Sequence, residues 1–380
     1  MRILALNWRD PHNPEAGGAE IHLHEILKRA VKAGHEVIHV SHAIQWLPDK
    51  EVIDGVQIHR YGKWYSYNFT LKKYCKSLDL DSFDLIIEDI CKVPVFSPRW
   101  SNTPVLAIVP HLFGTTAYRE VSASKAIYVN ILEAMIPCVY GKNNFVAISD
   151  STKNDLVRRG IPVDRISVIP CGIDTDFYKQ NTDIEPEKGR LLFVGRLKKY
   201  KGVQHLLKAM KILQSRNILT NLTVIGEGDY SHALKLLVGK LNLQDRVSFE
   251  GFIPQEDKLL WLQKAYVAVF PSAKEGWGLT VIEANCCGTP VVASDSDGLR
   301  DSVKNGKTGI LVKHEDPLAL ADALESIVIS PEKRAEFSKH ALSWAKSFNW
   351  DYTGEKMLEV MDMTVREHKE AEKIPKKRRQ

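Results

Sequence analysis

The sequence predicts the α/β fold class, with two domains of parallel sheet, each covered by helices on both faces. Three observations predict it. Strand and helix patterns alternate from one end of the chain to the other, the signature of β-α-β units. A polar stretch, Thr182 to Gly189 with Pro186 in it, looks like a linker between two such series. Glycine-rich turns follow several strands, at the ends where open α/β sheets hold ligands. The 380 residues are also too many for one ordinary core and suit two.

The elements run as follows. Ile3 to Leu6 is a short buried strand. Gly17-Gly18-Ala19-Glu20 turns into a helix whose apolar residues, Leu23, Ile26, Leu27, Ala30 and Val31, recur at helical spacing, and Gly34 ends it. Strands follow at Val37 to Val40, Leu85 to Ile87, Val105 to Val109, Phe145 to Ile148 and Ile166 to Ile169. Ser149 to Thr152 caps a helix over Lys153 to Arg159. Beyond the polar stretch come strands at Leu191 to Val194, Leu222 to Ile225, Val247 to Phe249, Val267 to Phe270, Pro290 to Ala293 and Gly309 to Val312, with helices between, among them Val203 to Leu213 and His232 to Leu241. Trp350 to His368 reads as a terminal helix able to pack on either domain, including by crossing back to the first. Both domains are thus Rossmann-like, with a cleft expected between them: residues 1–172, residues 173–349, and a terminal helix and tail over 350–380.

Composition narrows the function. The chain is 44% hydrophobic and 26% charged, as soluble globular proteins are. A net charge of +5 fits an anionic substrate or an anionic membrane surface and is too small to argue for nucleic acid. The tail Lys373 to Gln380 is basic: a solubilising end, or one drawn to acidic lipid headgroups. Six cysteines show neither metal nor disulfide spacing and read as reduced thiols in a cytoplasmic protein. The first residues read as a strand, no apolar run is long enough to span a bilayer, and the sequons at Asn68 and Asn221 are expected to be accidental. The expected location is the cytoplasm, with the inner face of a membrane as the alternative.

Glu275-Gly276-Trp277-Gly278-Leu279-Thr280-Val281-Ile282-Glu283 is the most informative segment. Two acids frame a glycine turn that opens an apolar helix. Backbone N–H groups there suit an anion or a sugar oxygen, and carboxylates accept from sugar hydroxyls. Gly195-Arg196 through Lys201-Gly202, between a strand and a helix, suits a diphosphate: arginine offers a planar fork of donors, lysine a mobile charge. Gly226-Glu227-Gly228 lacks the third glycine of the dinucleotide fingerprint, which disfavours NAD. Around Gly17 and Gly18, the residues Asn7, Trp8, Arg9, Asp10 and His12 enrich a candidate functional loop. His111 ends a strand, better placed for function than His205 or His232 on helices. Three D-x-D triplets, Asp79/Asp81, Asp174/Asp176 and Asp295/Asp297, read as turn residues, so no obligatory metal or cofactor is expected; no G-x-S-x-G, H-E-x-x-H or Walker A motif occurs.

Taken together, these segments resemble the family 4 glycosyltransferases, enzymes of the GT-B fold. Gly17 to Glu20 matches the family's N-terminal glycine loop, Phe145 to Ser149 and Ile169 to Asp174 its inter-domain segment, Gly195-Arg196 with Lys201-Gly202 its phosphate motif, and Glu275 with Glu283 its E-x7-E motif. The resemblance implies that Arg196 and Lys201 neutralise a donor diphosphate, with Gly195 and Gly226 in the turns beside it and Gly17 and Gly18 closing over it. It further implies that Glu283 bonds the ribose, that Glu275 and the segment Gly276, Trp277, Gly278, Leu279 and Thr280 hold sugar hydroxyls, that His111 lies beside the donor sugar, and that Phe252 and Ile253 lie near the base. Retention of anomeric configuration without a metal is implied as well. The expected activity moves a hexosyl unit from a nucleotide sugar, a UDP-sugar before GDP-mannose, to a glycan, glycolipid or lipid-linked acceptor. A nucleotide-sugar epimerase, a glucan phosphorylase and a non-catalytic nucleotide-sugar binder share the architecture; no pyridoxal lysine is identifiable for the phosphorylase.

The acceptor side is less legible. Arg9, Glu20, Glu88 and Asp89 are the candidate acceptor residues. Lys63 to Phe69 is aromatic and polar, suited to stacking on sugars, to a lipid interface or to packing on the core. Ala126 to Tyr140, with Ile127, Val129, Ile131, Leu132, Met135 and Ile136, is expected to be core.

Overall fold

The computed structural model describes residues 1–91 and 93–373, with backbone alone at 119 and 120. The basic tail from 374 onward, and the membrane contact expected of it, lie outside the described residues. The chain forms two compact units: residues 1–117, 123–172 and 350 onward make the first, and residues 118–122 and 173–349 the second.

The strands of the first unit are β1 (Arg2–Leu6), β2 (Glu36–Ser41), β3 (Lys50–Ile53), β4 (Val56–Arg60), β5 (Leu85–Asp89), β6 (Val105–Val109), β7 (Asn144–Ala147) and β8 (Ile166–Val168). They form one sheet in the order β3-β4-β2-β1-β5-β6-β7-β8, parallel except where β3 pairs antiparallel with β4. Its helices are α1 (Gly18–Lys32), α2 (Tyr67–Ser77), the short α3 (Ala117–Glu120) that leads into residues 118–122, α4 (Ala123–Ala134), α5 (Ile136–Tyr140) and α6 (Asp150–Arg158). Ser149 caps α6, its hydroxyl accepting from the Thr152 N–H. The β3–β4 hairpin is absent from the sequence reading. It turns at Asp54 and Gly55, both with positive φ, as a tight hairpin requires.

The second unit holds β9 (Arg190–Val194), β10 (Asn221–Ile225), β11 (Val247–Gly251), β12 (Val267–Phe270), β13 (Val291–Ser294) and β14 (Gly309–Val312). Their order is β11-β10-β9-β12-β13-β14, all parallel. Around this sheet lie α7 (Val203–Ser215), α8 (Ser231–Leu241), α9 (Gln255–Lys264), α10 (Leu279–Cys286), α11 (Leu299–Ser302), α12 (Pro317–Val328) and α13 (Pro331–Ala345). The apolar runs of β9, β12 and β13 are buried almost throughout, as strands covered on both faces must be.

The last helix, α14 (Trp350–Lys373), belongs to the first unit. Met357, Val360, Met361 and Val365 join Leu23, Ile26, Leu27 and Ala30 of α1 in one buried cluster. Burial of this stripe stabilises by roughly 1.5–3 kcal/mol for each large side chain. The seam is close: a Cβ at Gly354 would lie 2.3 Å from Arg29 Cδ, and one at Gly172 would lie 2.6 Å from the Trp350 Cα. Of the two placements open to this helix, the chain takes the return to the first domain.

Two expectations are corrected. Thr182 to Gly189 is a surface loop inside the second unit, pinned by a Glu187 N–H to Lys264 C=O bond, while the chain changes unit at Gly172/Ile173. Its polarity reflects exposure, not a boundary. And α4 is not core: Ile127, Tyr128 and Ile131 are 48%, 46% and 56% exposed. The helix is anchored by a polar group instead. Glu133, fully buried, accepts from the N–H groups of Phe113 and Gly114 and pairs with Arg159. Among the described residues no helix is long and apolar enough to cross a membrane.

Candidate functional site

In the second unit every turn singled out in the sequence follows the carboxyl end of a strand, and the turns are laced together. Gly195 N–H donates to the Ile225 carbonyl, Gly226 N–H to the Gly251 carbonyl, and Leu197 N–H to the Glu227 carbonyl. The approach needs glycine: a Cβ at Gly226 would stand 2.2 Å from the Gly195 oxygen. Gly202, at φ +75°, opens α7, and a Cβ there would stand 2.0 Å from the Pro271 oxygen. Ala273 N–H donates to the Tyr200 carbonyl, so the cationic turn after β9 is stitched to the loop after β12. These are adjacent strands whose connections run in opposite directions across the sheet, the switch point at which such folds bind ligands.

Charge gathers there. Lys201 Nζ lies 2.6 Å from Glu275 Oε1, with both side chains mostly buried. Burial alone would lower the Lys201 pKa; the charge and hydrogen bond of Glu275 overcome it and the net shift is upward, against the repulsion of nearby Arg196. Arg196 itself is exposed. Glu275 is held by its backbone: its N–H donates to the Asp297 carbonyl, and Gly298, at φ +80°, passes so close that a Cβ would meet the Glu275 oxygen at 2.3 Å. Gly276, Gly278, Leu279 and Thr280 are half-exposed along the turn into α10. Trp277 is different. Its side chain is 5% exposed and packs edge-on against Phe348, 5.2 Å between ring centroids. That assigns the indole to the core and leaves only its backbone to a ligand.

Glu283 lies one turn into α10, 9% exposed. It makes an ion pair of its own, with Lys258 Nζ at 3.1 Å from Oε1 and 3.0 Å from Oε2. Lys258 also sits 5.0 Å above the Tyr178 ring. Phe252 is 83% exposed at the end of β11, beside half-buried Ile253. Lys258 and Tyr178 were not among the residues the sequence singled out. Their partner Glu283 is distant along the chain, and only α9 and the loop after Asp174 bring them to it.

In the first unit, His111 lies two residues past the end of β6, with its ring 5.1 Å from that of Phe113. The segment around it is fixed by the Thr152 hydroxyl, which donates to the Pro110 carbonyl, and by Glu133 on the following N–H groups. Gly17 precedes α1, and Gly18 is its first residue. Three of the four acceptor candidates are committed to the fold. Glu20 is buried and accepts from the Gly17 N–H. Glu88 is 1% exposed and accepts from the N–H groups of Val95 and Ser97, the Ser97 hydroxyl and the Tyr140 hydroxyl, so it fixes a loop. Arg9 is held by Glu15.

Asp89 is 3% exposed, accepts from Asn7 Nδ2 at 2.6 Å, and keeps its Oδ1 unpartnered. Burial, then the charge of Glu20, push its pKa well above the usual carboxylate value. The sequence reading placed Asp10 in a functional loop but missed its partner: Arg60 and Asp10, both without exposed side-chain area, are joined by paired bonds of 2.8 and 2.7 Å. Of the aromatic stretch, Tyr67 is buried and donates to the carbonyls of Asn7 and Val40, while Trp64, Tyr65 and Phe69 are exposed.

Known proteins resemble this chain in sequence and in fold. The family model described as Glycosyltransferase Family 4 matches residues 16–177, and that described as Glycosyl transferases group 1 matches residues 174–344. A D-inositol 3-phosphate glycosyltransferase from Paenarthrobacter aurescens (strain TC1) is 33% identical over 234 residues, 58% of this chain and 57% of the relative. The chain thus spans little more than half the length of the curated relatives it matches first. An uncharacterized glycosyltransferase from Methanocaldococcus jannaschii is 26% identical over 96% of this chain and 99% of its own. Among solved structures, sucrose-phosphate synthase from Thermosynechococcus elongatus superposes with a TM-score of 0.81 at 23% identity, covering 95% of this chain and 98% of that one. HepE of Anabaena, solved with UDP and glucose, gives 0.76 at 18% identity over 96% and 100%. Both likenesses are of fold.

Proposed function

The chain belongs to the glycosyl transferases of group 1, its first half to glycosyltransferase family 4, and from that premise we propose that it moves a hexosyl unit from a nucleoside-diphosphate sugar to a hydroxyl of a glycan, glycolipid or lipid-linked acceptor. The observation that carries the proposal is the Lys201–Glu275 pair at 2.6 Å, with Arg196 in its field, at the carboxyl ends of β9 and β12. A UDP-sugar is the favoured donor and GDP-mannose the second. Support for the first comes from the solved relative holding UDP and glucose. The relatives named for D-inositol 3-phosphate make a phosphorylated polyol an acceptor to include in any screen.

Breaking the bond between the anomeric carbon and the phosphate oxygen puts negative charge on the departing nucleoside diphosphate. Arg196, Lys201 and the N-terminus of α7 are fixed where that charge develops, and they need no reorganisation as it does. Glu275 and the backbone of 276–280 hold the sugar hydroxyls, and Glu283 holds the ribose. No protein nucleophile stands out. The acceptor hydroxyl therefore attacks from the leaving group's own face, its proton passing to the departing phosphate, and configuration is retained. Acceptor recognition falls to the first unit, with His111 and Asp89 as the side chains to test there.

Thermal shift against a panel of nucleotide sugars tests the donor, because a true donor stabilises by mass action. Turnover with and without acceptor then separates transfer from epimerisation, which needs none. A folded Arg196→Ala variant with unchanged turnover, or a trapped covalent sugar–enzyme adduct, contradicts the proposal.

A further inference from the structure

Glu283 sits in an apolar helix: Val281, Ile282, Ala284, Cys286 and Cys287 around it are all buried. A carboxylate there loses water on most sides and needs a partner to hold it in place. Lys258 is that partner. Its ammonium has the carboxylate on one side and the face of Tyr178 on the other, 5.0 Å from the ring centre. The Tyr178 hydroxyl in turn donates to Gln255 Oε1 at 2.7 Å and neighbours Glu283. The three side chains form a stack of ring, ammonium and carboxylate that joins α9 to α10. Lys258 Nζ donates to Oε1 at 3.1 Å and lies 3.0 Å from Oε2, so it holds both oxygens of the carboxylate.

The placement of α9 matters. It starts directly after Phe252, Ile253 and Pro254, so Lys258 stands one turn from the segment assigned to the nucleotide base. The Lys258–Glu283 pair therefore fixes the ribose acid relative to that segment. We propose that Lys258 and Tyr178 are positioning residues that fix the Glu283 carboxylate for a donor ribose hydroxyl, and so make the site prefer ribonucleotides to their deoxy counterparts. This rests on the donor site assigned above.

The test is calorimetric binding of UDP, GDP and their 2′-deoxy and 3′-deoxy counterparts to the full chain. For whichever ribonucleotide binds, Lys258→Met raises Kd about tenfold, yet it raises the Kd of the counterpart lacking the recognised hydroxyl less than about twofold. Glu283→Gln gives the same pattern, and the double variant is no worse than either single one. Lys258→Arg restores binding to within about threefold, since the charge pair persists. Tyr178→Phe, which removes one hydroxyl and keeps the ion pair, shows a smaller loss of the same selectivity and carries the test should Lys258→Met fail to fold. Equal weakening of ribo and deoxy ligands, or no change for the ribonucleotide, overturns the assignment while the donor site stands. A wild-type chain that binds none of the nucleotides overturns the donor site and this assignment with it.

Discussion

At the scale of single residues, the paired acids and cations of the second unit have separable roles. Arg196 is exposed, whereas Lys201 and Glu275 shield one another in a mostly buried pair. Arg196→Ala is therefore expected to weaken nucleoside-diphosphate binding by at least tenfold while moving stability by less than about 0.5 kcal/mol. Lys201→Met leaves the Glu275 carboxylate without its partner and costs about 2 kcal/mol, below the 3–5 of a fully buried pair because both groups retain some water. The double variant Lys201→Met/Glu275→Gln regains most of that stability and none of the activity, which urea denaturation and turnover together would check. Asp89 gives a second prediction. Its carboxyl pKa rises on folding, so its contribution to stability is present below the unfolded value of about 3.9 and is lost as pH rises toward the folded one. Asp89→Asn, which mimics the neutral acid, should raise Tm at pH 7 and lose that advantage progressively toward pH 4. A gain that is the same at both pH values would show that Asp89 does not titrate as its burial requires.

At the scale of elements, glycine carries the site. Gly202 must bring α7 against the Pro271 carbonyl, at a backbone angle that favours glycine. Gly34, at φ +86°, has the same backbone demand with nothing within 4 Å. Gly34→Ala should therefore cost about 1 kcal/mol and Gly202→Ala two to three times as much, with nucleotide binding lost only in the latter. Denaturant midpoints and calorimetry on the two variants separate backbone strain from the close approach. This local character is why the turns were legible in the sequence. A glycine between a strand and a helix states its backbone requirement on the spot, as do the β-branched runs of the strands. What stayed hidden depends on partners far along the chain. Lys258 and Tyr178 meet Glu283, Arg60 meets Asp10, and Glu133 anchors the loop after His111, with no periodicity to announce any of them. The Asp54-Gly55 turn was legible and passed over, because β3 is too short and polar to stand out. In α4 the apolar content was plain, but an amphipathic pattern does not say whether its face is covered.

At the scale of the whole molecule, two separate cores imply two transitions on heating, not one. They should respond to different variables. His22 and His39, both wholly buried in the first unit, have pKa values pushed down to about 4 by desolvation. A base whose pKa falls on folding contributes stability above its unfolded pKa of about 6.5, and loses it as pH drops toward 4, by at most about 3 kcal/mol each. Calorimetry between pH 7.5 and about 4.5 should therefore show one transition falling steeply with acid, while UDP or GDP raises the other by mass action. A nucleotide that raises the acid-sensitive transition instead would place the ligand site on the wrong half. The return of α14 has a bearing on biogenesis. The second unit, residues 173–349, is an insertion within the first, whose back layer includes Met357, Met361 and Val365. As the polypeptide leaves the ribosome, the inserted half is complete while its host still lacks a wall. The half that begins synthesis first is the last to close, and until then the apolar flank of α1 is the surface a chaperone would have to guard.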